Sequence, residues 1–277
     1  MICTFMDCSK AFDKCRFDKL FEKLLKRNVH AIVIRVLIFV YEEQEGNVKL
    51  GGVYSKSFRI TNGTRQGSVL SPTLFSLYLD DLITELRKKG LGCHVAGMWV
   101  GAAGYADDLV LLAPGRETMC RMLEICESYA QEHNLIFSTD PVPSKSKTKC
   151  IFMCGKSGNV VPDGVPKPLV LNGKELPWVP HANHLGHEIH QSVTMEADTR
   201  QKRAQFMENC INIRKTFGFS FLKQILQAVK IHALHCYGAM LWDFESNKTG
   251  MFCRSWNTNM QCETCYKVPR ETHTLTI

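Results

Sequence analysis

Gly104-Tyr105-Ala106-Asp107-Asp108-Leu109-Val110-Leu111-Leu112 sits between two markers of chain direction. Val95-Ala96-Gly97-Met98-Trp99-Val100 runs before it, and Ala113-Pro114-Gly115 closes it. Short apolar runs bounded by glycine and proline read as strands, and the middle reads as their turn. Asp107 and Asp108 then stand side by side at a hairpin tip. No charge on either flank neutralises them, so a cation is the natural partner. A plain acidic turn is the alternative, because aspartate is a common turn residue.

A second acidic strand end lies far away in sequence. Ile2-Cys3-Thr4-Phe5-Met6 reads as a strand closed by Asp7, followed by Cys8-Ser9-Lys10-Ala11-Phe12-Asp13. Carboxylates brought together from distant strand ends repel unless metal ions fill the site. Two-ion sites drive in-line displacement at phosphorus. Alone, Asp7 reads as a turn or helix-cap aspartate. A third piece, Gly63-Thr64-Arg65-Gln66-Gly67-Ser68-Val69-Leu70-Ser71-Pro72, is a glycine-bracketed polar loop running into a helix. Its small residues let a nucleotide approach the backbone, and a helix N-terminus favours phosphate.

The rest of the chain alternates strands and helices. Phe17, Leu20, Phe21, Leu24 and Leu25 recur at helical spacing. Ala31 to Tyr41, interrupted by Arg35, is the longest apolar run; it is too short to cross a bilayer and reads as a buried helix. Val53 and Phe58-Arg59-Ile60 are weak strands. Phe75, Leu79, Leu82 and Leu86 mark the buried face of a helix that starts at Pro72 and ends at Lys88-Lys89-Gly90. Met119, Met122, Cys126 and Tyr129 trace another. Cys150 to Met153 reads as a strand, Gly155 to Pro168 as a loop, and Leu169-Val170-Leu171 with Asn172-Gly173 as a hairpin. Leu222, Ile225, Leu226, Val229, Cys236 and Met240 form a long helical stripe. Composition shifts near residues 190–195. The expected division is therefore 1–193, mixed strand and helix, and 194–277, mostly helix with Arg200, Lys202, Arg203, Arg214 and Lys215 on its surface.

The chain has 277 residues, a net charge of +7 and a pI near 8.7, which favours a polyanionic partner. Its 13 cysteines are odd in number, and a chain without a signal peptide is expected. Reduced thiols in an intracellular protein, nuclear or cytoplasmic and not membrane-bound, are the expectation. His181, His184, His187 and His190 recur every third residue, a spacing that alternates faces on a strand and argues against one metal site. Cys262-Glu263-Thr264-Cys265 has ligand spacing, but no second pair accompanies it.

In this order the pieces resemble the palm motifs of reverse transcriptases, closest to those of non-LTR (LINE-type) retrotransposons. Asp7 to Asp13 resembles the first catalytic motif, Gly63 to Pro72 the second, and Tyr105-Ala106-Asp107-Asp108 the third. Ser144-Lys145-Ser146-Lys147-Thr148-Lys149-Cys150 resembles the lysine-bearing fourth, and His184-Leu185-Gly186 the primer-grip turn. Lys202-Arg203-Ala204-Gln205-Phe206, Tyr237-Gly238-Ala239-Met240-Leu241-Trp242 and Val268-Pro269-Arg270 also resemble that subgroup.

The resemblance implies an α+β fold: a right-hand polymerase palm, with helices packed on an antiparallel sheet, followed by a mostly helical thumb-like region. It implies metal binding by Asp7, Asp107, Asp108 and the Cys8 carbonyl, with two Mg²⁺ ions, or Mn²⁺ in their place. Phe12 falls where the family excludes a ribose 2′-hydroxyl, which argues against an RNA-templated RNA polymerase. Arg65, Gln66 and Gly67 fall where the nucleotide and template base are supported. One lysine among Lys145, Lys147 and Lys149 would meet the departing pyrophosphate, with Lys147 favoured. The implied partners are an RNA template, a DNA primer and deoxynucleotides. Family members carry a long fingers segment before the first aspartate. Here it is expected to be absent, which leaves the first strand prone to fray and the chain a poor polymerase by itself. The other reading is a catalytically silent, nucleic-acid-binding remnant.

Overall fold

The structure, a computed structural model, describes residues 1–65, 67–140, 142, 145–153, 167–193 and 196–217. The elements run β1 (Ile2–Asp7), α1 (Ala11–Lys14), α2 (Phe17–Lys26), α3 (Ala31–Glu42), β2 (Glu45–Gly46), β3 (Lys49–Leu50), β4 (Val53–Tyr54), β5 (Phe58–Arg59), α4 (Ser71–Lys88), β6 (His94–Val95) and β7 (Met98–Trp99). Next come β8 (Ala102–Tyr105), β9 (Asp108–Ala113), α5 (Arg116–Glu132), β10 (Lys149–Phe152), β11 (Leu169–Leu171), β12 (Lys174–Leu176), β13 (His181–His184), β14 (His187–His190) and α6 (Glu196–Phe217). Strands and helices mix as an α+β fold requires. The chain divides into two compact units, Met1–Ala182 and Asn183–Ile277.

The first unit is built on a four-stranded antiparallel sheet in the order β10-β1-β9-β8. β1 is central, which explains why its five apolar and small residues are buried on both faces. Alternation sends Ile2, Thr4 and Met6 toward the helices, where the Thr4 hydroxyl contacts Met119 Sδ on α5 at 3.4 Å. Leu109, Leu111 and Ala113 of β9 join them in the core. Cys3, Phe5 and Asp7 therefore stand on the opposite face. β1 pairs along its whole length with β9 and over Ile2–Phe5 with β10, and Met153 N–H donates to the Met1 carbonyl at 2.8 Å.

α4 and α5 cover the sheet. α4 buries Leu74, Phe75, Tyr78, Leu79, Leu82 and Leu86, the stripe its spacing predicts. α5 buries Met119, Met122, Cys126 and Tyr129. On α2, Leu20, Phe21 and Leu24 are buried as expected, but Leu25 is exposed and Lys23 is buried in its place. The Lys23 ammonium survives there because it pairs with Asp81 and donates to the Tyr129 hydroxyl at 2.9 Å.

Two expectations need correction. Val95 to Val100 is not the strand that leads into the acidic turn. It forms its own small hairpin, β6–β7, and β8 begins after Gly101. Ala96-Gly97 turns that run back on itself, with both residues at positive φ. Ala31 to Tyr41 is helical but not buried: Ile34 and Tyr41 are inside, whereas Ile32, Val33, Val36, Phe39 and Val40 face solvent. No helix among the described residues is long and apolar enough to cross a membrane.

Candidate active site

Asp7 is the last residue of β1 and Asp108 the first of β9, and the register makes them direct partners. Directly opposed residues on neighbouring strands share a face, so both stand on the side away from α4 and α5. Tyr105 pairs with Asp108 across the β8–β9 hairpin, which leaves Ala106 and Asp107 as its two-residue turn. Ala106 sits at φ +53°, a left-handed conformation that disfavours a Cβ by about 1–2 kcal/mol. The sheet therefore tolerates strain where Asp107 is presented.

A second layer of backbone contacts fixes the strand end. Ser138 N–H donates to the Asp7 carbonyl and Ser9 N–H to the Ile136 carbonyl, each at 2.8 Å. The Asp7 N–H reaches the Thr148 hydroxyl at 3.5 Å. The residues before β10 thus help position the first aspartate.

The register puts Asp7, Asp108 and the turn residue Asp107 at one end of the sheet. Burial, then the charges of Asp107, Asp7 and Asp108, push the Cys8 thiol up to about 12. Asp7 Oδ2 is buried and accepts no hydrogen bond, although Lys147 Nζ lies 3.5 Å away as an ion pair. Lys147 is mostly exposed, so this pair adds little stability. A buried carboxylate oxygen lacking a hydrogen bond is expensive for a purely structural residue. It suits an atom that takes a cation. Among the described residues, no three histidine, cysteine, aspartate or glutamate side chains already stand close enough to hold an ion.

The glycine-bracketed loop is tied to the same end of the sheet. Gly63 N–H donates to the Cys15 carbonyl at 2.8 Å and Thr64 N–H to the Phe12 carbonyl at 2.7 Å. A Cβ on Gly63, at φ +94°, would meet the Asp13 Cα and carbonyl oxygen at 2.9 Å. Only glycine lets the two segments approach so closely. Phe12 is half-buried, with its ring 4.9 Å from that of Phe75 at the start of α4. Arg65 and Gly67 are exposed, and the Ser71 hydroxyl donates to the Arg65 carbonyl at 2.6 Å. Gly67, at φ +84°, has open space where a Cβ would be. Gln66 lies outside the described residues.

Between this loop and the end of α3 runs a cleft of about 760 Å³ lined by Asp13, Glu43, Glu45, Thr64 and Arg65, among others. The sequence reading missed Glu43 and Glu45 because no motif marks them. It also missed Thr148 as a support for Asp7, although the hydroxyl lies inside the lysine-bearing motif.

In the second unit and the hairpin leading into it, Leu185 and Gly186 form the turn between β13 and β14, at φ +48° and +74°. A two-residue turn of this shape sets His184 opposite His187. His187 Nδ1 lies 3.0 Å from Asp198 Oδ2. Arg200, Arg203 and Lys215 are exposed on α6 and Lys202 is half-buried. The side chain of Arg214, the stripe from Leu222 to Met240, the motifs at Tyr237 and Val268, and Cys262 and Cys265 lie outside the described residues.

The family model described as "Reverse transcriptase (RNA-dependent DNA polymerase)" matches residues 1–189. The chain is similar to the retrovirus-related Pol polyprotein of the type-1 retrotransposable element R2 of Nasonia vitripennis, 27% identical over 64% of this chain and 17% of that protein. It is similar to the corresponding polyprotein of element R2DM of Drosophila melanogaster, 27% identical over 58% of this chain and 16% of the relative. The probable RNA-directed DNA polymerase from transposon BS of Drosophila melanogaster is 26% identical over 86% of this chain and 26% of its own length. The chain thus spans between about a sixth and a quarter of these relatives. A match of this extent over the acidic strand ends and the glycine-bracketed loop shows that the chain belongs to the reverse transcriptase family.

Proposed function

We propose that the chain is the palm, with part of the thumb, of an RNA-directed DNA polymerase that adds deoxynucleotides to a primer 3′-hydroxyl on an RNA template. The observation that carries this reading is the Asp7–Asp108 register, with Asp107 in the adjoining turn. On this reading residues 1–193 are the palm with its primer-grip hairpin, and 194–277 the thumb-like region.

Asp7, Asp107, Asp108 and the Cys8 carbonyl would hold two divalent ions, Mg²⁺ or Mn²⁺. The family uses such ions, and carboxylate and carbonyl oxygens are the donors they prefer. When bound, the ions supply Lewis-acid chemistry at the primer hydroxyl and the phosphates. The chain's own residues orient the reactants. Lys147, already drawn to Asp7, neutralises charge on the departing pyrophosphate. Phe12, braced by Phe75, fills the space a 2′-hydroxyl would need. Arg65, Gln66 and Gly67 support the nucleotide and its template base, with Gly67 leaving room for close approach. His184, Leu185 and Gly186 grip the primer.

The test is primer extension on an RNA template with Mg²⁺ and with Mn²⁺, in the wild-type chain and in Asp107→Asn. Extension that needs the divalent ion and falls about 10³-fold in the variant is the expected result. Salt-sensitive nucleic-acid binding with no extension in either metal would instead identify a silent binding remnant.

A further inference from the structure

We propose that Asp198 and Lys202 are positioning residues. They lock the His184-Leu185-Gly186 turn to α6, so that turn and helix meet the primer as one piece. This rests on the polymerase reading above. Asp198 is almost completely buried, at 1% exposure, and both of its oxygens are engaged. Oδ2 faces His187 Nδ1 at 3.0 Å and Oδ1 accepts the Glu188 N–H at 3.1 Å. His187 and Glu188 directly follow the turn. One helical turn further along α6, Lys202 Nζ donates to the Gly186 carbonyl at 2.6 Å. Residues four apart on a helix share a face, so one face of α6 holds both the turn and the strand leaving it.

The turn needs such a hold. Leu185 sits at φ +48°, where a leucine side chain crowds its own backbone. Conformations of this kind persist only when their surroundings over-determine them. Here the surroundings include a buried carboxylate and a cation, both from one helix. A charged hydrogen bond to a backbone group is about twice as strong as a neutral one, so each contact constrains the turn strongly.

The experiment is amide hydrogen exchange on the whole chain, together with primer-extension kinetics, for Asp198→Ala, Asp198→Asn and Lys202→Met. Exchange at residues 185–188 should rise about tenfold in Asp198→Ala and in Lys202→Met, as loss of one charged hydrogen bond implies. Amides of β1 and β9 should not change. Asp198→Asn keeps an acceptor for the Glu188 N–H and should restore most of the protection. The KM for primer–template should rise about tenfold in the two disruptive variants, with the deoxynucleotide KM unchanged. Lys202→Met keeps the proposal testable if Asp198→Ala does not fold, because Lys202 is at the surface of the unit. Unchanged exchange at 185–188 overturns the lock. Faster exchange with an unaltered primer–template KM overturns the positioning role. If the wild-type chain extends no primer, the polymerase reading fails and the positioning role falls with it, while the exchange data still report on the lock.

Discussion

α3 and α4 are both rich in apolar residues, and they have opposite fates. α4 spaces its large side chains at 74, 75, 78, 79, 82 and 86, and that face is buried. α3 is the more uniformly apolar, reading Ala-Ile-Val-Ile-Arg-Val-Leu-Ile-Phe-Val-Tyr-Glu, yet Phe39 is 69% exposed and Ile32 63%. The difference lies in neighbours. α4 packs against α2, α5 and β8, whereas α3 rests mainly on α2, with Tyr41 edge-on to Phe17 at 5.2 Å. A stripe of apolar residues predicts where a helix packs, and the number of surrounding elements decides how much of it is covered. Exposed aliphatic side chains of this density form the sort of patch that soluble monomers rarely show.

The largest stability effect we expect tests that contrast directly. Leu82→Ala, at a fully buried position on α4, should cost about 2–5 kcal/mol of unfolding free energy. Phe39→Ala on α3 should lie within about 0.5 kcal/mol of wild type. Denaturant titration of both variants measures it. A Phe39→Ala penalty near that of Leu82→Ala would mean the α3 face is covered in solution, and the contrast between the two helices would collapse.

Much of the site was legible in the sequence because strand alternation and turn chemistry are local. Asp7 closes an apolar run, Asp108 opens one, and Asn172-Gly173 dictates its own hairpin, at φ +53° and +70°. The start of β8 was misplaced because Val95–Val100 has as good a strand composition as Ala102–Tyr105. Only the turn at Ala96-Gly97 separates them. The exposure of α3 was not legible, since a helix apolar all round looks the same whether three elements or one lie against it. Asp198 was invisible for another reason. Its importance comes from two partners ten and eleven residues away across a loop, and no spacing rule links a helix aspartate to a hairpin turn.

A smaller effect belongs to the seam between the two regions, where the chain returns from the strands after α3 toward α4. Gly63→Ala should destabilise by about 2–3 kcal/mol, because the new methyl meets the Asp13 backbone as well as the unfavourable φ. Gly67→Ala carries only the φ penalty, about 1 kcal/mol, since nothing lies within 4 Å of its Cβ. Thermal unfolding of the pair ranks them. Equal losses would show that the Asp13–Gly63 approach relaxes freely and does not hold the loop to the sheet.

The smallest effect separates the α4 layer from α3 by pH. His133 is buried at the end of α5, stacked on Tyr129 with ring centroids 3.9 Å apart, and the Tyr78 hydroxyl donates to its carbonyl at 2.7 Å. Burial, and then the nearby Lys23 ammonium, hold its pKa below the ordinary 6.5, while its bond to the Tyr129 carbonyl and the Glu132 charge pull the other way. The sign follows from which state takes the proton. Between the folded value and 6.5 the unfolded chain binds a proton that the folded chain refuses. The contribution of neutral His133 is therefore whole above 6.5 and is lost as pH falls through the folded value. Acidification should lower the denaturant midpoint, and His133→Gln should flatten that slope between about pH 7 and pH 5. Hydrogen exchange over the same range should quicken in α4 and α5 before it changes in α3. A slope that survives in His133→Gln would show that His133 does not carry the acid sensitivity.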